Sequence, residues 1–114
     1  MIKINELRFG NWLEMYNPMS GEFTKHQYNV SDNYLDIEAY CYPIRLTIGL
    51  LQNLGFVTPE YMQDTVFFKD SIMIDLHDGV FKLRDFPTII PSVHELQNLY
   101  FAIHYKELPI NFKT

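Results

Sequence analysis

The chain has 114 residues, 47% hydrophobic and 16% aromatic, which suits one domain with a modest core of its own and excludes a disordered tail. Nine Lys and Arg stand against fourteen Asp and Glu, a formal net charge of −5, and the cations are scattered singly, so nucleic acid is not an expected partner. Cys41 is the single cysteine, which excludes an internal disulfide, and neither the opening "MIKINELRFGNW" nor any later run is apolar enough for a signal or a membrane span; the expectation is a cytoplasmic protein with no membrane contact.

No low-complexity segment, charge block or linker divides the sequence, so residues 1–114 are expected to form one domain. Residues 11–16, "NWLEMY", suit a first strand, and Asn17-Pro18-Met19-Ser20-Gly21 is a cluster of turn residues. A second strand is predicted from Phe23 to Val30, followed by a turn at Ser31-Asp32-Asn33. "YLDIEAYCY" then alternates, with Leu35, Ile37, Ala39 and Cys41 on one face and Asp36, Glu38, Tyr40 and Tyr42 on the other. Period two predicts a half-buried strand ended by Pro43. Thr47 is placed to cap a short helix, "IGLLQNL", with Gly55 where a left-handed C-terminal residue is wanted. Gly49 weakens that helix by about 1 kcal/mol relative to Ala, so packing through Leu50, Leu51 and Leu54 must hold it. Thr58-Pro59-Glu60 can open one more helical turn.

The sharpest local signal is "IMIDLHDGVFKL". Asp78-Gly79 is a two-residue hairpin turn in which both central residues take positive φ. Pairing His77 with Val80 sets Asp75 opposite Lys82 and Met73 opposite Arg84 on the polar side, and Leu76 opposite Phe81 and Ile74 opposite Leu83 on the apolar side. A slip of one residue would destroy both matches. "TVFFK" adds a third strand through an Asp70-Ser71 turn.

The closing helix, 92–108, carries a capping-box pattern, Ser92-x-x-Glu95, between Pro91 and Pro109. Val93, Leu96, Leu99, Tyr100 and Ile103 form its inward stripe and are expected to cover the apolar face of the hairpin sheet. The expected fold is α+β: a bent antiparallel sheet or small SH3-like barrel with two helices packed on it.

Three segments carry a resemblance. Leu7-Arg8-Phe9-Gly10-Asn11-Trp12-Leu13, then Pro43-Ile44-Arg45-Leu46-Thr47 through Gly55-Phe56, then His94 to Leu108 resemble, in this order, a family of small uncharacterised proteins from Bacteroidota genomes and their phages. That family is marked by an "LRxGNxV" opening, a central "PIxLTxxxLxxxGF" and a closing "HQLQNLYFALTGEEL". The chain departs from it at Gly49, Glu95 and His104-Tyr105-Lys106. The resemblance implies a phage or mobile-element accessory protein in a bacterial cytosol and carries no catalytic residue.

Of the candidate sites, the face of the closing helix made by His94, Gln97, Asn98 and Phe101 stands out, because it is polar yet uncharged around an apolar anchor. Such a face suits a protein partner or a second copy of the chain; the plainer reading is an ordinary wet helix face. "HELQN" lacks the second histidine of a His-Glu-x-x-His zinc helix, since Asn98 stands there, so no metal or other cofactor is expected. Asp75 with His77 could serve acid–base hydrolysis, but Lys82 offers Asp75 a duller partner. Cys41 continues an apolar row and reads as a small buried hydrophobe. Tyr34, Asp36, Glu38, Tyr40 and Tyr42 make an aromatic, acidic face suited to a basic partner or a stacked ring. With no phosphate loop, a nucleotide-like ligand would depend on dispersed Arg8, Arg45, Lys82 and Arg84. The expected function is therefore non-catalytic protein binding or self-association, with small-molecule binding and a His/Asp hydrolase as alternatives.

Overall fold

A computed structural model describes residues 2–62, 65–86 and 88–112. β1 (Trp12–Asn17) pairs antiparallel with β2 (Glu22–Gln27), and Gly21, at φ +72°, helps close the turn between them. The predicted second strand ran on to Val30. Regular pairing ends at Gln27, and only two bonds continue it, Tyr28 N to Asn11 O at 2.8 Å and Gly10 N to Tyr28 O at 2.7 Å.

The largest correction lies at residues 34–40. The predicted strand is a helix, α1 (Tyr34–Tyr40), followed by the short strand β3 (Cys41–Pro43) on the far side of β1. Asn33 caps the helix by accepting a hydrogen bond from Leu35 N at 2.8 Å. Seven residues of alternation also place Ile37 and Cys41 four apart, and these two are the buried pair, while Leu35 is 60% exposed. The local cap decided between two periods that the apolar pattern left tied.

α2 (Ile48–Asn53) forms as predicted, with Thr47 Oγ1 accepting from Leu50 N at 3.1 Å, and a 3-10 turn follows at Glu60–Met62. β4 (Val66–Lys69), β5 (Ile72–His77) and β6 (Val80–Leu83) make a second antiparallel sheet in the order β4-β5-β6. The predicted register holds from Ile74 opposite Leu83 to His77 opposite Val80, and Asp70, Ser71, Asp78 and Gly79 all take positive φ in the two turns. α3 (Val93–His104) closes the chain.

The α+β class stands, with the strands divided between two three-stranded sheets and α1 as a helix additional to the two expected. The two sheets keep separate cores. Phe67, Ile72, Ile74 and Phe81 of the second sheet pack with Leu51, Leu54, Val93, Leu96 and Tyr100 of α2 and α3. Ile2, Leu13, Tyr28, Ile37 and Cys41 form a smaller core under the first. The inward stripe of α3 holds for Val93, Leu96 and Tyr100. Ile103 is 44% exposed, because it lines an open cleft at the Ser71–Met73 end of the second sheet. Among the described residues no helix is long and apolar enough to cross a membrane.

Candidate functional site

The uncharged face of α3 is occupied by the chain itself. His94 and Gln97 are 1% and 2% exposed, and Asn98 and Phe101 are half-buried, so the face expected to be open is covered by residues 6–12. Sequence spacing identified the stripe but not its cover, which lies at the opposite end of the chain.

The contact is a polar clasp. Gln97 pairs with backbone as another strand would: its Oε1 accepts from Trp12 N at 2.8 Å and its Nε2 donates to Gly10 O at 3.0 Å. Gly10, at φ +100°, supplies the left-handed turn that holds this carbonyl in place, and a side chain there would be strained. Asn98 Oδ1 accepts from Arg8 Nε at 3.0 Å and from Asn11 Nδ2 at 2.9 Å, while its Nδ2 donates to Glu6 O at 3.1 Å. Asn11 is fully buried and its Oδ1 accepts from Arg8 N at 2.7 Å. The Arg8 guanidinium lies 4.2 Å over the Phe101 ring and donates to Glu107 at 2.7 Å. The segment 6–12 and the face of α3 therefore meet, and every side-chain amide group of Gln97 and Asn98 is satisfied.

The first turn of α3 departs from the expected capping box. Ser92 occupies the cap position but makes no side-chain cap bond. Its hydroxyl donates to Glu95 Oε1 at 3.2 Å and lies 3.2 Å from His94 Nδ1. Burial, the largest cause, lowers the His94 pKa from its ordinary 6.5, opposed by the nearby Glu95 and Glu6 carboxylates.

The remaining candidates do not assemble as reactive groups. Asp75 accepts a two-pronged contact from Arg84, 2.7 Å at the shortest, in place of the predicted ion pair with Lys82 across the ladder. His77, with its side chain 88% exposed, rests 3.2 Å from Asp78. The Cys41 thiol is buried and its pKa is pushed up to about 11, first by desolvation and then by Asp32, which keeps it from acting as a thiolate.

The open surface with character lies on the first sheet. Tyr16, Phe23 and Tyr42 share its outer face, with ring centroids 5.1 Å apart for Tyr16 and Phe23 and 6.0 Å for Phe23 and Tyr42. Phe23 is 55% and Tyr42 43% exposed. Further along, Glu14 and Lys25 form an ion pair at 2.8 Å, and Phe112 packs on Trp12. Beside the strip, the end of the hairpin and α1 enclose an open cavity of about 430 Å³, lined by Met15, Tyr16, Glu22, Asp36 and Tyr40 among others, with two carboxylates and no cation. Of the predicted tyrosine face, Asp36 and Tyr40 reach this cavity and Tyr42 joins the strip. Glu38 instead accepts from Ile4 N at 3.2 Å and so holds the N-terminal 3-10 turn, Ile4–Glu6. The alternating pattern flagged these residues but spread them on the wrong element.

No protein-family model, curated protein or solved structure matches this chain.

Proposed function

We propose that this is a small non-catalytic accessory protein, of a phage or mobile-element kind, that works in a bacterial cytoplasm by binding a protein partner. The binding surface is the aromatic, acidic end of the first sheet, and the partner presents lysine or arginine to it. The observation that carries this reading is the exposed Tyr16–Phe23–Tyr42 strip beside a cavity whose only charged lining groups are Glu22 and Asp36. Exposed aromatics anchor interfaces, and rings flanked by carboxylates attract cationic side chains. The net charge of −5 adds long-range attraction for a basic partner and opposes pairing with a second, equally acidic copy. The phage context rests on the resemblance of the opening, central and closing segments.

The partner surface moves from α3 to the first sheet because Gln97, Asn98 and Phe101 are engaged by Trp12, Asn11 and Arg8. The nucleotide-like alternative is weakened, since Arg8 and Arg84, two of its four cations, are engaged by Glu107 and Asp75. The hydrolase alternative loses its pair to the same Arg84 contact. A panel of lysine- and arginine-rich peptides titrated into isotope-labelled protein tests the reading. Chemical-shift changes are expected around Tyr16, Phe23, Asp36 and Tyr40, and Asp36→Lys is expected to weaken binding at least tenfold. Shift changes elsewhere, or a dimer that Phe23→Glu dissolves, would replace it.

A further inference from the structure

The first turn of α3 contains an electrostatic arrangement that the protein atoms alone leave incomplete. His94 is 1% exposed, and its Nε2 has no hydrogen-bond partner among the described residues. Ser92 has one hydroxyl proton, and the Glu95 Oε1 carboxylate, 3.2 Å away, is the stronger acceptor for it. With that proton directed at Glu95, His94 Nδ1, 3.2 Å from the same oxygen, carries the ring proton and donates it to Ser92. That tautomer leaves Nε2 as a bare lone pair. It lies 3.9 Å from Glu95 Oε1, and one ligand atom each of Glu6, His94 and Glu95 lie within 4.8 Å of one another. A buried lone pair beside two carboxylates is favoured by a positive species between them.

We propose that Glu6, His94 and Glu95 bind a divalent first-row transition ion of the Zn²⁺ class, with Ser92 orienting the imidazole. One neutral imidazole and two carboxylates are the donor set of such an ion, whereas Ca²⁺ asks for six to eight oxygens. Bonds of about 2.1 Å put tetrahedral ligands about 3.4 Å apart, so the cluster closes by a few tenths of an ångström up to about 1.4 Å. Glu6 is exposed and can make most of that movement. Its Oε1 accepts from Lys3 N at 3.0 Å, which leaves Oε2 for the ion. The Nδ1–H···Ser92 contact is the outer-shell bond that metal-ligating histidines characteristically make. Three protein ligands leave a fourth position for water. The "HELQN" segment lacks a second histidine at Asn98, and the missing donor comes instead from Glu6 at the far end of the chain. Bound there, the ion cross-links the N-terminal 3-10 turn to α3 beside the clasp.

Protein stripped with a chelator and titrated with Zn²⁺ is expected to bind one equivalent and melt at a higher temperature, while Mg²⁺ does neither. Co²⁺ is expected to give the visible d–d absorption of a four-coordinate site. Glu6→Gln, an exposed change, is expected to weaken binding at least tenfold, and Ser92→Ala by about tenfold. His77→Ala, at the most exposed histidine–carboxylate pair, is expected to leave binding unchanged. His94→Gln removes the central ligand; should it fail to fold, Glu6→Gln and Glu95→Gln decide the matter. Absence of one-to-one binding, or binding that survives both glutamate changes, overturns the site.

Discussion

The two halves of this protein are stabilised in different ways. Among the described residues the cluster around the second sheet, α2 and α3 buries fourteen hydrophobic side chains, and β5 and β6 alternate into it. The first sheet, with α1, buries five, and its hold on the rest of the molecule depends heavily on the Arg8–Asn11–Gln97–Asn98 clasp. An apolar core announces itself by periodicity because every strand and helix contributes its own stripe. A polar clasp between two distant segments has no period at all. The first half is therefore expected to be the less cooperative one.

Paired substitutions break this comparison most directly. Phe67→Ala, at a fully buried ring in the large core, is expected to cost about 3–5 kcal/mol and to lower protection from hydrogen exchange in both sheets. Asn98→Ala leaves the fully buried Asn11 amide without an acceptor, at about 1–3 kcal/mol. It is expected to accelerate exchange in β1 and β2 while β4, β5 and β6 stay protected, and uniform acceleration across both sheets would show that the halves unfold as one.

Gly10→Ala sharpens the same point at smaller cost. The residue sits at φ +100°, so a side chain strains the turn that presents its carbonyl to Gln97, and a loss of about 1 kcal/mol is expected in chemical denaturation. Gly49→Ala is the matched control, with open space around a Cβ inside α2, and is expected to stabilise.

Acidification has the smallest effect. The His94 pKa lies below its ordinary 6.5 in the fold, so the unfolded chain takes the proton more readily. In metal-free protein this contribution to stability is present above about pH 6.5 and is lost as the pH falls through and below that value. Thermal melts across this range are expected to show the loss in the parent chain and a weaker dependence in His94→Gln.

The hairpin at Asp78-Gly79 was legible residue by residue, because turn chemistry, alternation and side-chain size all demand one register. Asp75 shows the limit of that reading: the ladder sets it opposite Lys82, yet the planar guanidinium of Arg84 binds both its oxygens. In the candidate sites, spacing identified the α3 stripe as polar and uncharged, but its partners Gly10, Asn11 and Trp12 lie too far along the chain for any local pattern to pair them with it.

Local chemistry in the sequence sufficed to determine the α+β class, the second sheet with its turns, the start of α2 and the inward residues of most of α3, since each depends on neighbours a few positions away. Only the tertiary structure decided that the strands form two sheets and that Glu6, His94 and Glu95 converge. Those outcomes depend on which distant segments meet. Hydrogen bonds and charges act over a few ångströms in space, whatever the separation along the chain.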